Sequence, residues 1–439
     1  MPREAAAHVS MESNTVIASE TKKLILEPEQ LRMLRTFKPL CHKLLGVTPR
    51  MRIATLSRGL ERVLFNPGVH WLQDPRTNVY NFDPLLQHLP QPDSFDFANI
   101  PPFTPASKDT HLLNLAEQHD CSFISSTSSI SSSMSHIHHL LTKMQPLNLS
   151  NLSAAFVDEP RTFTVLSRSP SAVILKPHRN GKIRSIVVEK LGDPDNVLQH
   201  MGQVMERLLT ESKENFRKML KNSGERPLSN GEDAYTYTAA GKLLLRSQLD
   251  CHDPRLPKQT FDLKTRAVLP IRMDVQNYQV PSHHLTNFPQ KYSNYRLLRD
   301  QGMYCSFERE YFDMCRSTML KYKYMRCVPI SFCSFQAKIG DMDGIFVAYH
   351  NVSQMFGFQY VPREEMDQRI YGNSTTGDAA FRAILQLYNE ILAVVVVEYP
   401  KTSLLRLTFS TDKLGTVSFL VFFSLDLETY SIWRRSRVK

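Results

Sequence analysis

Apolar and polar positions fall into a regular pattern mainly in the second half of the chain, from about Phe163 onward. Phe163-Thr-Val-Leu and Ala172-Val-Ile-Leu-Lys read as short strands, and Ile183 to Val188 forms another β-rich run after the turn Asn180-Gly181. Val197, Leu198, Met201, Val204, Met205 and Leu208 recur at helical spacing. They predict a helix from about Asp195 to Leu209, capped by Asp193 or Asp195, with one buried stripe. Strands follow at Leu243 to Asp250 and Thr260 to Leu269, then a long helix from Phe307 to about Tyr322. A strongly β segment, Gly344-Ile-Phe-Val-Ala-Tyr-His, precedes a helix running from Asp378 into the apolar run Ile391 to Val397. The core order is helix, strand, strand, helix, strand.

Upstream the pattern is looser. A polar leader leads into a helical stretch, Pro28 to Leu45, and residues 57–70 read as a helix running into the Pro67-Gly68 turn. Pro90 to Pro105 is proline-dense and extended. Ser122 to Ser135 holds nine serines in fourteen residues. Two readings stay open: a flexible linker, or a small-residue segment packed on the core through Ile124, Ile130 and Met134. His136, His138 and His139 lack an accompanying carboxylate or cysteine cluster and read as a polar patch, not a metal site. The divisions expected are a leader and helical segment (1–50), an N-terminal region (51–159) and a core (160–408).

Charge narrows the class of partner. A net charge of +10 and a pI near 9.2 favour nucleic acid or an acidic membrane surface. Seven cysteines, an odd number with no C-x-x-C pair, argue against a disulfide framework or a structural zinc site and for a reducing compartment. The runs Ile391 to Val397 and Phe419 to Leu425 fall short of the ~20 residues that span a bilayer, so no transmembrane helix is expected. Glu4, Glu12 and Glu20 make the first residues unlike a mitochondrial presequence, which leaves internal targeting or an N-terminus further upstream.

The segment Gln248-Leu-Asp250-Cys-His-Asp through Phe261-Asp262-Leu-Lys264-Thr-Arg266 carries candidate chemistry. Phosphodiester hydrolysis needs carboxylates to hold a hard cation, Mg²⁺ or Mn²⁺, and a lysine to orient water or neutralise developing charge. Asp262 and Lys264 are two apart on a predicted strand, so both leave one face while Phe261 and Leu263 point to the core. Asp250, ending the strand before, approaches Asp262 if the two strands are antiparallel neighbours. Arg266, on the same strand face, is the favoured phosphate contact. Lys182 and Arg184 form a basic hairpin that either touches phosphates or is simply exposed. Lys213, Arg217, Lys218 and Lys221 make a solvated or an RNA-facing helix face, and Asp341 and Asp343 a turn before a strand.

The Asp250 and Asp262-x-Lys264 arrangement resembles the PD-(D/E)xK nuclease superfamily, with its α/β, restriction-endonuclease-like core (helix-strand-strand-strand-helix-strand). More specifically, several stretches resemble the fungal mitochondrial Pet127 family over roughly residues 55–405. They are Arg58-Gly-Leu-Glu-Arg-Val-Leu-Phe-Asn-Pro-Gly-Val, Val79-Tyr-Asn-Phe-Asp, Arg246-Ser-Gln-Leu-Asp, Asp253-Pro-Arg-Leu-Pro, Phe261-Asp-Leu-Lys-Thr-Arg-Ala-Val and Met342-Asp-Gly-Ile-Phe-Val-Ala-Tyr-His-Asn.

The resemblance implies 5′-end processing and turnover of mitochondrial transcripts by a protein peripheral to the inner membrane, on its matrix side. It also implies mitochondrial RNA as substrate and the exoribonuclease and helicase degradation machinery as partner. A non-catalytic RNA-binding activator of that machinery is the alternative. The superfamily adds Glu206 on the first core helix, where helical geometry puts it off the apolar stripe, either reaching the site from the flank or facing solvent. It also adds Gln336 and Lys338 on the helix after the D-x-K strand. Two stretches depart from the family. Lys323 to Ser334 interrupts what should be helix and reads as a retained intron, and residues 409–439 read as an aberrant tail.

Overall fold

The computed structural model describes residues 21–26, 42–47, 53–74, 77–100, 103–145, 169–178, 181–188, 197–221, 223–225, 233–267, 328–350, 353–398, 404–411 and 417–424. The strand Phe163-Thr-Val-Leu, the helix Phe307 to Tyr322 and the tail beyond 424 lie outside them. Two sheets divide the described strands. The larger has nine, built from β1 (Thr21–Leu26), β2 (His42–Val47), β4 (Phe123–Ser126), β5 (Ser171–Pro177), β6 (Arg184–Val188), β7 (Tyr235–Ala240), β8 (Leu243–Gln248), β13 (Leu404–Thr411) and β14 (Val417–Ser424), in the order β1-β14-β13-β5-β6-β4-β8-β7-β2. The smaller runs β3-β12-β11-β10-β9, from β3 (Val69–Trp71), β9 (Cys251–His252), β10 (Thr260–Ala267), β11 (Gly344–His350) and β12 (Met355–Pro362).

Strand β11 is buried along its whole length. It pairs parallel with β10 and antiparallel with β12. An unbroken apolar run suits a strand covered on both faces. Three sequence expectations change here. The end of the stretch expected to be helical, His42–Val47, is a strand paired with β7. Strand β7 precedes the predicted strands β8 and β10, and the short β9 falls between them, so four described strands, β7 to β10, stand where two were expected. Part of the tail, as β14, pairs with β13 and β1.

The serine-rich segment is neither a linker nor exposed. It forms β4 and then helix α2 (Thr127–Thr142), whose Ile130, Met134, Ile137 and Leu140 are fully buried. Those side chains share a core with Phe381, Ile384, Leu385, Tyr388 and Leu392 of α7 (Ser374–Glu398). Serine permits this burial because its hydroxyl returns to the helix's own carbonyls, Ser131 to Thr127 O and Ser135 to Ser131 O. Helix α7 is long and apolar enough to cross a bilayer, and 44% of its most apolar window is buried, with one face packed in this cluster. The three histidines of α2 are likewise buried, which corrects the expected polar patch.

Candidate active site

The site is assembled where the chain passes from one sheet to the other. Strand β8 has neighbours on both edges, β4 and β7, and so has no edge to offer β10. The condition set for Asp250 to approach Asp262, that β8 and β10 be antiparallel neighbours, is therefore not met. The chain crosses at Leu249 and Asp250, and β9 supplies the antiparallel partner, Thr260 to His252 and Phe261 to Cys251. One more step in that register sets Asp262 opposite Asp250. The Leu263 amide donates to Asp250 Oδ2 at 2.9 Å, tying the carboxylate to β10.

Alternation on β10 does the rest. Phe261 and Leu263 are buried against Met201, Val204, Met205 and Leu208 of α3 (Val197–Thr210). Asp262 and Lys264 leave the other face, with Lys264 Nζ 2.6 Å from Asp262 Oδ2 as an ion pair. That oxygen is buried and takes no hydrogen bond of ordinary geometry.

Helix α3 brings Glu206 to the flank of this group. Its C-terminal carbonyls, which no helical amide can reach, are satisfied by a distant loop. Ser57 N and Oγ donate to Leu209 O at 2.9 and 3.0 Å, and Arg58 Nε donates to Leu208 O at 3.1 Å. Arg58 is in turn paired with Asp83 at 3.0 Å. A cation there also suits the negative end of the helix dipole. The motifs Arg58-Gly-Leu-Glu-Arg and Val79-Tyr-Asn-Phe-Asp thus set the end of the helix that carries Glu206. The sequence does not show this role, because the helix end that Arg58 bonds lies 150 positions away and Asp83 reaches it only through Arg58.

Charge is concentrated here. Burial, then the Asp262 and Glu206 carboxylates, push Asp250 well above the usual carboxylate range, against the pull of Lys264. Burial raises Glu206; Arg207 opposes this, and Asp233 and Asp262 add to it. Burial works to lower Lys264, but Asp262 and Asp250 overcome it and hold the ammonium above its ordinary pKa. Lys264 is thus a fixed cation, suited to neutralising phosphate charge and not to taking a proton. Asp233, which sequence reading missed, reaches this field from beside Tyr235, and no local motif marks it.

Hard oxygen donors, mutual repulsion and the buried Asp262 oxygen fit a divalent cation such as Mg²⁺ or Mn²⁺. Among the described residues, no three His, Cys, Asp or Glu side chains are gathered closely enough to hold an ion. The fit is therefore to Asp250 and Asp262 with Glu206 alongside, and not to a closed cage.

The remaining predicted contacts divide. Lys338, on α5 (Val328–Ile339), is 2% exposed and ion-paired with Asp367 at 2.7 Å and Asp378 at 2.5 Å. Those partners consume its ammonium, so it is not a phosphate contact. Arg184 is buried in β6, and burial depresses its guanidinium, which removes it too. Lys182 is exposed on its turn, and Gln336 is half-buried. The Arg266 side chain lies outside the described residues. Lys213, Arg217 and Lys221 are exposed on and after α4 (Lys213–Lys218), and Lys218 is half-buried. Asp341 pairs with Lys258, and Asp343 accepts the Lys258 amide at 2.9 Å, so this is the expected turn. Cys333 and Ser334, inside the suspected insertion, are buried on α5.

Fold and site together define an α/β protein with a carboxylate–lysine group, Asp262 and Lys264 on β10 with Asp250 set opposite. Residues 103–393 match the family described as mitochondrial protein Pet127, and the chain belongs to that family. It is 36% identical over 381 residues to the mitochondrial mRNA degradation protein pet127 of Schizosaccharomyces pombe, covering 84% of this chain and 67% of that one. It is 38% identical over 354 residues to PET127 of Saccharomyces cerevisiae, covering 76% of this chain but 40% of that protein. Two solved structures align over 91% of the chain. They are Scheffersomyces stipitis Rai1 with (3'-NADP)+ and calcium (97% of that chain, TM-score 0.40, 11% identity) and K. lactis Dxo1 with manganese (97% of that chain, TM-score 0.33, 12% identity). Likeness this remote adds nothing to the assignment, which rests on the sequence relatives and on the strands themselves.

Proposed function

We propose that the chain is a metal-dependent ribonuclease acting on mitochondrial transcripts. The observation that carries this reading is one fixed ammonium, Lys264, set among the carboxylates of Asp250, Asp262 and Glu206, two of which are pushed upward. Asp250 and Asp262, with Glu206 alongside, would hold Mg²⁺ or Mn²⁺. A bound ion supplies polarisation of a phosphoryl oxygen and a water of lowered pKa. The Leu263 amide fixes Asp250, and Lys264 stands ready to neutralise charge on the scissile phosphate. The name of the fission yeast relative, a mitochondrial mRNA degradation protein, supports the substrate class. We extend the reading to 5′-end processing, to partnership with the degradation machinery, and to peripheral association with the matrix side of the inner membrane.

A second reading, an RNA-binding activator that retains the fold, is favoured by one observation. The nearest cation to Asp262 is the chain's own Lys264, and no three-ligand cluster is closed among the described residues. End-labelled RNA incubated with the full chain in Mg²⁺, Mn²⁺ or EDTA separates the two. Metal-dependent cleavage lost in Asp262→Ala and Lys264→Ala establishes the nuclease. Binding without cleavage in any metal leaves the activator.

A further inference from the structure

Two of the motifs quoted above converge on a cavity that the catalytic group does not use. Its volume is about 370 Å³, and Arg62, Asn66, His70, Trp71, Asn81 and Phe82 line it. The first four come from the segment after Arg58, and the last two from Val79-Tyr-Asn-Phe-Asp. The wall is organised by its own contacts. The Arg62 guanidinium lies 4.5 Å over the Phe82 ring and donates to Asn81 O. Asn66 Nδ2 donates to Arg62 O at 2.6 Å, and Asn81 Nδ2 to Trp71 O at 3.0 Å. Phe82 is fixed edge-on against Phe358 at 5.2 Å.

The composition of this wall points to one ligand chemistry. Aromatic rings offer flat faces, an arginine stacked on one of them offers a cation and its outer plane, and two asparagines keep their side-chain oxygens as acceptors while one amide hydrogen of each is used within the wall. Together they suit a nucleobase with its phosphate, and the volume is that of a small-ligand site. Position points the same way. Strand β3, which carries His70 and Trp71, lies in the sheet that holds the D-x-K strand, three strand spacings or about 14 Å from β10. The short helix before the cavity, Leu60–Phe65, also touches the loop between the two catalytic aspartates, where Arg255 lies 4.5 Å over the Phe65 ring.

We propose that this cavity is a nucleotide subsite holding one unpaired base of the RNA strand whose backbone is cut at Asp250 and Asp262. The proposal rests on the ribonuclease reading and names a contact within it. Unstacked bases held on aromatic and guanidinium planes are the usual way single-stranded RNA is gripped.

The test uses the fluorescence of Trp71, which Trp433→Phe leaves as the chain's only tryptophan. In EDTA, a short single-stranded RNA should quench that emission saturably, with the midpoint seen by fluorescence anisotropy of the labelled RNA. Arg62→Gln and Asn66→Ala should each weaken that binding about tenfold. Arg62 and Asn66 are both exposed, and Asn66→Ala keeps the test sound if losing the Arg62–Phe82 contact disturbs the fold. A free nucleoside monophosphate should quench only at much higher concentration. Equal potency of the free nucleotide would overturn the assignment to the strand. RNA that binds with unchanged Trp71 emission, and equally well to both variants, would overturn the subsite while leaving the nuclease reading standing. No RNA binding at all would remove both.

Discussion

At the scale of single residues, the proposed catalytic group is costly to the fold that carries it. Asp250 is buried beside two other carboxylates, and each pushes it toward its neutral form. Asp250→Asn keeps an oxygen to accept the Leu263 amide and takes the ionisable group out of that repulsion. It should raise stability by about 1 kcal/mol in EDTA while lowering metal-dependent cleavage at least ~10²-fold. Denaturant melts beside the RNA assay would check this, and a variant both weaker and inactive would mean that Asp250 is structural. The signal for Asp262 and Lys264 was fully present in the sequence, since strand alternation with Phe261 and Leu263 puts them on one face. Lys338 and Arg184 were misread for a reason of the same scale. A basic residue type does not announce a buried acidic partner, and Asp367 and Asp378 lie 29 and 40 positions beyond Lys338.

At the scale of elements, helices α5, α6 (Arg363–Tyr371) and α7 are pinned by that buried pair. Ser334 Oγ donates to Asp367 at 3.2 Å, and Lys338 Nζ at 2.7 Å. Gly377 of α7 completes the fit, since a Cβ there would lie 2.6 Å from the Asp367 carboxyl carbon. Lys338→Met should cost about 3–5 kcal/mol by leaving a buried carboxylate uncompensated, and adding Asp367→Asn should recover most of it. A double-mutant cycle by urea denaturation measures both, and additivity would mean that the pair carries no coupling. Helix α2 has a different vulnerability. Burial holds His136 neutral, down to about 4, and burial, with the neighbouring His139, takes His138 to about 3, against an ordinary value near 6.5. The unfolded chain therefore binds more protons as pH falls below 6.5. This contribution is fully present above that pH and is lost on the way to about pH 4 for His136 and about pH 3 for His138, on the order of 3 and 5 kcal/mol at the limits. His138→Gln should flatten the fall relative to the parent, and equal slopes between pH 6.5 and 4.5 would rule out that histidine as the source. Serine-rich composition concealed α2, because a polar residue that bonds its own helix carbonyl is indistinguishable in sequence from one bonded to water. Ile130, Met134 and Ile137, at spacings of four and three, were the legible part.

At the scale of the molecule, the division into two sheets could not be read from the chain. The crossing at Leu249 and Asp250 has no turn residue or break in pattern, so β8 and β10 looked like neighbours. Only the pairing of β8 with β4 and β7 decides otherwise. Net charge was legible and, on the proposed function, bears directly on how RNA would be held. The chain carries +10, and with Lys338 and Arg184 buried, phosphate contacts on the proposed reading would include exposed groups such as Lys182, Lys213, Arg217 and Lys221. For single strands, each neutralised phosphate contributes about −0.7 to the slope of log affinity against log salt. Four such contacts give a slope near −3, or about a 50-fold loss between 50 and 200 mM salt. Replacing Lys213, Arg217 and Lys221 with alanine should make that slope shallower by about 2, with little effect on folding because all three are exposed. Anisotropy titrations of one labelled RNA in EDTA at four salt concentrations measure both slopes. An unchanged slope would make the α4 face a solvated surface and move the backbone path elsewhere. A shallower slope with intact Trp71 quenching would set a basic track on α4 apart from the base-binding cavity beside β3.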